Sequence, residues 1–130
     1  MKKRILIIDD ERDIREVAAA SLELVGGFTI LQEASGAEGL TTARRERPDA
    51  ILLDLMMPEM DGYTTLRRMK SDADVGGIPV ILLTAKAQGF GTAPEHSGAV
   101  GVLLKPFDPM LLPSQIRSLL GWSDSETSGS

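Results

Sequence analysis

Carboxylates, a hydroxyl and an ammonium stand directly behind short apolar runs, and there the chain can do chemistry. Asp9 and Asp10 follow Ile5-Leu6-Ile7-Ile8, and Asp54 follows Ala50-Ile51-Leu52-Leu53. Thr84 follows Val80-Ile81-Leu82-Leu83, and Lys105 closes the run from Val100 to Leu104. In an open parallel sheet, ligands bind beyond the carboxyl ends of the strands, so these groups meet on one edge. Mutually repelling carboxylates are costly there unless a counter-ion compensates them. A hard divalent cation, Mg²⁺, is the natural compensation, because it takes oxygen ligands and a phosphate oxygen together. A lysine suits phosphate as a point charge, and a threonine hydroxyl can donate a further hydrogen bond. The group best served around Asp54 is a phosphoryl bonded to that carboxylate, since aspartate is a nucleophile for aspartyl-phosphate formation.

Plainer readings exist for each residue taken alone. Asp10 could cap the first helix, Thr84 the fourth, and Lys105 could point to solvent. Asp54 resists such a reading because it interrupts the apolar stretch from Ile51 to Met57. Taken jointly, the pattern favours function.

The apolar runs, without strict alternation, suit strands buried on both faces of a helix-covered parallel sheet. The more mixed Phe28–Glu33 reads as an edge strand. Ile14, Val17, Ala18, Leu22 and Val25 form one face of a first helix ended by Gly26-Gly27. Ser35 and Glu38 form a capping box for a second helix, which Pro48 ends. Asp61 caps a third helix carrying Leu66 and Met69. The last helix begins at Asp108-Pro109 or around Pro113, with Ile116, Leu119 and Leu120 inward. Between Thr84 and Ala99, three glycines and Pro94 predict a short or irregular fourth helix. The alternation predicts an α/β domain with a parallel sheet and right-handed crossovers.

The 130 residues are one domain's worth of chain, and 14 basic against 19 acidic residues give a net charge of −5. That balance argues against a general nucleic-acid binder. The absence of cysteine excludes disulfides, thiolate metal sites and cysteine nucleophiles. With one histidine, His96, a Ser-His-Asp enzyme is improbable, and the histidine itself is expected to face solvent. The first apolar run is too short for a secretion signal, and no stretch reaches the roughly 18–20 apolar residues of a membrane span. A cytoplasmic location is expected. Residues 123–130 contain no apolar side chain and are expected to be a disordered tail behind a domain at 1–122.

Five segments, in order, resemble the receiver domain of two-component response regulators: Ile7-Ile8-Asp9-Asp10-Glu11, Leu53 to Pro58, Met60-Asp61-Gly62, Leu83-Thr84-Ala85 and Leu104-Lys105-Pro106-Phe107. The likeness spans about residues 3 to 121. It implies a CheY-like, flavodoxin-like doubly wound sheet of five parallel strands, order 2-1-3-4-5, with helices on both faces. It implies that Asp54 is the phospho-acceptor and that Asp9 and Asp10 hold Mg²⁺ with the backbone carbonyl of Met56. It further implies that Thr84 is the switch hydroxyl, that Lys105 pairs with the phosphoryl, and that the Lys105-Pro106 bond is cis.

Two features depart from the pattern. Val102 stands where many receivers carry a switch aromatic, and the fourth helical segment is interrupted. The expected activity is acceptance of a phosphoryl group from a phosphohistidine on a partner kinase or phosphotransfer protein. Output would pass to a protein partner through the face of the fourth helix, fifth strand and fifth helix, since no second domain follows in this sequence, or else the chain is a piece of a larger regulator. The chain would not be an enzyme, because its only chemistry is on itself. A phosphatase of the aspartate type would carry a second Asp two residues after Asp54, where Met56 stands. A phosphorylation-independent interaction module is the alternative. Arg44, Arg45 and Arg47, and Arg67, Arg68 and Lys70, read as favourable charges at helix carboxyl ends rather than a docking site. Trp122 and Phe107 read as local packing.

Overall fold

The computed structural model describes residues 2–56, 62–85 and 98–122. Its strands are β1 (Arg4–Ile8), β2 (Thr29–Glu33), β3 (Ala50–Asp54), β4 (Val80–Thr84) and β5 (Gly101–Leu104). All neighbours pair in parallel, in the order β2-β1-β3-β4-β5, the doubly wound order that the resemblance implies. β2, the mixed segment, lies on one edge. The described helices are α1 (Arg12–Ala20), α2 (Gly36–Glu46), α3 (Gly62–Ser71) and α4 (Leu112–Leu120). Most of the interrupted fourth segment, with His96, lies outside the described residues, so α4 here is the fifth helix of the sequence reading. The expected cap at Asp61 and the tail 123–130 also lie outside them.

Alternation along the strands divides the core between the two faces of the sheet. Ile5, Ile7, Leu52, Ile81 and Leu83 pack with Ala18, Leu22, Leu112 and Ile116 of the first and last helical segments. Leu6, Ile8, Ile51, Leu53, Val80 and Leu82 pack with Leu40, Ala43, Leu66 and Met69 of α2 and α3. β3 and β4 are buried along their whole length, which is why their sequences show no polar alternation until Asp54 and Thr84.

The inward face of the first helix differs from the sequence expectation. Ala18, Ala19 and Leu22 are buried, whereas Val17 and Val25 are nearly half exposed. Beyond Ala20 the chain widens into a π-helical turn, Ser21–Val25, and the wider turn shifts the phase of the residues that follow. It also turns Ser21 inward, where its hydroxyl donates to the carbonyl of Pro109. Gly26 then caps the segment and Gly27 takes a positive φ of 76°, as the paired glycines predict.

The other helix ends follow their sequence signals closely. Ser35 Oγ accepts from the Glu38 amide at 3.2 Å, and α2 ends at Arg47 in the left-handed region before Pro48. Of the two starts open for the last helix, the later is found, with Pro113 in its first turn. Asp108 instead caps the preceding turn, its Oδ1 accepting from Met110 N at 2.9 Å. Arg44 pairs with Asp72 at 2.6 Å and Arg47 with Asp74 at 3.1 Å, so these cations are engaged locally. Trp122 packs against Phe28 at a ring separation of 5.8 Å, and Phe107 packs against the same core. Among the described residues, no helix is long and apolar enough to cross a membrane.

Candidate functional site

The register fixes which residues meet at the carboxyl edge. Ile8 pairs with Leu53, Asp54 with Leu83, and Thr84 with Leu104, so Asp9 leaves β1 beside the end of β3. Asp9, Asp54 and Thr84 are completely buried. Lys105 follows β5, and its amide donates to the Thr84 carbonyl at 2.9 Å. Its side chain is 9% exposed and runs back across the edge. Nζ of Lys105 lies 2.9 Å from Asp9 Oδ2, 3.3 Å from Asp54 Oδ1 and 3.7 Å from Glu11 Oε1. The bond between Lys105 and Pro106 is cis, as the resemblance implies.

One oxygen of each buried carboxylate is fixed by the backbone. Asp9 Oδ1 accepts from the Glu11 amide at 2.9 Å, and Asp54 Oδ1 accepts from the Met56 amide at 3.1 Å. The second oxygens, Asp9 Oδ2 and Asp54 Oδ2, accept no well-aligned hydrogen bond among the described residues, although the Lys105 ammonium is close to the former. Buried acceptors of this kind are costly unless a donor or a positive charge meets them. Oxygens of Asp9, Glu11 and Asp54 lie within 4.8 Å of one another.

The electrostatics follow from that crowding. Burial pushes the Asp54 carboxyl up to about 6, the negative charge of Asp9 adds to the rise, and the Met56 amide and Lys105 oppose it. For Lys105, burial works against the ammonium, but its hydrogen bonds to Asp9 and Asp54 and their charges hold it above its ordinary value. One ammonium thus faces two buried carboxylates and the half-exposed Glu11. Negative charge remains in excess, and all the uncompensated donors are hard oxygens. That donor set fits Mg²⁺.

Of the residues singled out from the sequence, Asp9, Asp54 and Lys105 come into direct contact, and Thr84 ends the neighbouring strand. Asp10 is exposed and stands outside the trio of oxygens that lie within 4.8 Å. It does not cap α1, whose N-cap is Glu11 and which has no side-chain cap. Glu11, which only the family motif had brought into view, joins the cluster instead. Its signal was the unbroken acidic run Asp9-Asp10-Glu11, in which the first and third residues share a side of the turn. Gly62 is required by close approach, because a Cβ there would stand 2.4 Å from Leu55 Cα and 2.6 Å from the Asp54 carbonyl. Next to Lys105, a mostly apolar cavity of about 430 Å³ opens between Ile14 and Val17 of α1 and Pro106 and Phe107.

A doubly wound parallel sheet, with buried aspartates, a threonine and a lysine gathered at its carboxyl edge, is the architecture of a phospho-accepting signalling domain. The chain belongs to the response regulator receiver domain family, whose model matches residues 5–117. It is 39% identical to the DNA-binding dual master transcriptional regulator RpaA of Synechocystis sp. over 93% of this chain and 50% of that protein. It is similar in structure to the chemotaxis response regulator CheY4 of Vibrio cholerae, with a TM-score of 0.83 and 27% identity, covering 92% of this chain and 99% of that one. The receiver domain of the sensor histidine kinase PA1611 of Pseudomonas aeruginosa matches with a TM-score of 0.82 and 30% identity, over 93% and 99% of the two chains. That structure has a magnesium ion coordinated in its active-site cleft. The chain spans about half the length of the curated relatives it matches. It is a two-component receiver domain, and the phosphorylation-independent module finds no support.

Proposed function

We propose that Asp54 accepts a phosphoryl group from a phosphohistidine on a partner histidine kinase or phosphotransfer protein. The observation that carries this reading is the buried Asp54 carboxylate: Oδ1 accepts from Met56 N–H and lies 3.3 Å from Lys105 Nζ, and Oδ2 has no well-aligned donor among the described residues. The free oxygen of Asp54 bonds to phosphorus as the phosphorus–nitrogen bond of the donor breaks, and the imidazole keeps the electron pair and takes up a proton. Asp9, Asp10 and Asp54 would hold Mg²⁺ together with the Met56 carbonyl, and Glu11 is close enough to join them. When bound, Mg²⁺ neutralises charge on the carboxylates and on the transferring phosphoryl. Lys105 moves its ammonium from Asp54 to a phosphoryl oxygen, and the Thr84 hydroxyl donates to another. The apolar cavity beside Lys105 suits a protein donor, whose histidine is delivered by a docked surface.

Catalysis is confined to the domain's own phosphorylation and dephosphorylation, in the cytoplasm. Residues 1–122 act as the receiver unit. Output leaves through the face of β5 and α4 to a protein partner; the fourth helix expected beside them lies outside the described residues. The net charge of −5 leaves DNA contacts to other parts of any longer regulator.

Incubation with Mg²⁺ and a small phosphodonor tests this through intact mass. The wild type is expected to gain one phosphoryl group and Asp54→Ala none. A wild type that gains nothing, or equal gain in both, would overturn the reading. Steady phosphate release from unrelated phosphomonoesters would instead indicate an enzyme.

A further inference from the structure

We infer that Arg15 is a positioning residue that clamps the loop of residues 9–11 and thereby sets the affinity of the acidic cluster for a divalent cation. The inference rests on the metal-binding reading given above. Asp9 is held at its amide and Oδ1 by hydrogen bonds, and only the Lys105 ammonium stands near Oδ2. Its amide donates to the Glu33 carbonyl at 3.1 Å, Oδ1 accepts from Glu11 N at 2.9 Å, and Oδ2 lies 2.9 Å from Lys105 Nζ. Its own carbonyl, at the point where the chain leaves β1, accepts from Arg15 Nη1 at 2.7 Å. A backbone carbonyl of a buried residue needs such a partner, and a guanidinium makes a strong, charge-assisted one.

Two further observations make the contact a clamp rather than a stray surface bond. The N-terminus of α1 has no side-chain cap at Glu11, so the device that ordinarily fixes a strand-to-helix turn is missing. Beyond the ordinary helical bond of its backbone amide to the Glu11 carbonyl at 2.9 Å, Arg15 holds the uncapped turn through its side chain, which donates to the Asp9 carbonyl. The guanidinium is itself steadied from the edge strand, Nε lying 3.3 Å from Gln32 Oε1. Arg15 therefore ties α1, the acidic turn and β2 together, and it holds a carboxylate's backbone without touching the carboxylate. Groups that orient metal ligands in this way commonly change metal affinity by about 10–100-fold when removed.

Charge and positioning predict opposite signs. Arg15 is a cation near the cluster, so its loss by electrostatics alone would tighten Mg²⁺ binding. Loss of the clamp would weaken it. Calorimetric titration with Mg²⁺ on Arg15→Gln, Arg15→Lys and Arg12→Gln separates the two, with amide exchange of Glu11 followed in the metal-free protein. Arg12 lies on the same helix, with its side chain 78% exposed and paired with Glu16, so it controls for charge. Arg15→Gln is expected to bind Mg²⁺ about tenfold more weakly and to exchange the Glu11 amide faster. Arg15→Lys should stay within about threefold of wild type, and Arg12→Gln should bind unchanged or tighter. An Arg15→Gln variant that matches Arg12→Gln in both measurements overturns the inference. Should Arg15→Gln not fold, Gln32→Ala decides: faster Glu11 exchange supports the clamp, and unchanged exchange overturns it. If the wild type takes up no Mg²⁺ at all, the metal reading fails, and Glu11 exchange in Arg15→Gln alone decides for or against the clamp.

Discussion

Lys105→Met is expected to destabilise the metal-free domain by about 3–5 kcal/mol at pH 8, the usual cost of removing one partner from a buried ionic cluster. The ammonium is nine-tenths buried and lies 2.9 Å from Asp9 and 3.3 Å from Asp54. Without it, both carboxylates remain out of water, and Glu11 adds further negative charge beside them. The loss should shrink as the pH falls, because a carboxyl can then take up a proton in place of the lost charge. Saturating Mg²⁺ should reduce it as well, by supplying positive charge to the same oxygens. Urea denaturation at pH 8, with and without a chelator, measures both effects. A change below about 0.5 kcal/mol in the chelated protein would show that Lys105 is not the counter-ion.

Asp54→Asn is expected to act in the opposite direction and stabilise the metal-free domain by about 3 kcal/mol at pH 8. Burial sets the sign. The carboxyl of Asp54 titrates at about 6 in the folded chain against an ordinary 3.8, so folding penalises its charged form. The penalty is absent below about pH 4, grows as the pH rises from about 4 to about 6, and is complete above that range. Asparagine keeps an acceptor for Met56 N–H and leaves Lys105 paired with Asp9, so it removes the charge with little other change. Denaturation at pH 8 and at pH 4 checks the prediction: a gain at the higher pH that disappears at the lower. Destabilisation at pH 8 would mean that the Asp54 charge is already well compensated by the protein alone.

These opposite effects explain which parts of the molecule were legible in the sequence. A strand buried on both faces must be apolar throughout, so β3 and β4 stood out, as did the polar residues that end them. Asp54 was conspicuous for the same reason that it is now unstable as an anion. Ser35 and Glu38, Gly26-Gly27 and Pro48 also acted as local signals, because caps and left-handed turns depend on neighbouring residues. The phase of the first helix was less accessible. Small alanines at 18 and 19 allow close approach to the sheet, while the π-helical turn that moves Val25 outward has no sequence marker of its own. The start of the last helix was ambiguous because both Asp108-Pro109 and Pro113 are helix-initiating chemistry, and the chain uses one for a turn and the other for the helix.

At the site, spacing identified the residues that end strands and missed the contribution of the turn between β1 and α1. Asp10 and Glu11 are adjacent in sequence, yet Glu11 is the one whose oxygen comes close to Asp9 and Asp54. That choice is made by the turn that Asp9 Oδ1 and the Glu11 amide form, and by the grip of Arg15 on the Asp9 carbonyl. Neither is visible in a list of acidic positions. Val102, half-buried in β5, fills the place of the switch aromatic. The proposed chemistry and the proposed output are therefore separable: the first rests on strand ends, the second on segments whose sequence departs from the family pattern.

Calorimetric titration of Mg²⁺ into wild type and Asp54→Asn at pH 8 tests the central claim most directly. A single ion should enter the wild type and bind far more weakly once the carboxylate at 54 is neutral. No uptake by the wild type, or equal uptake by both proteins, would contradict the account.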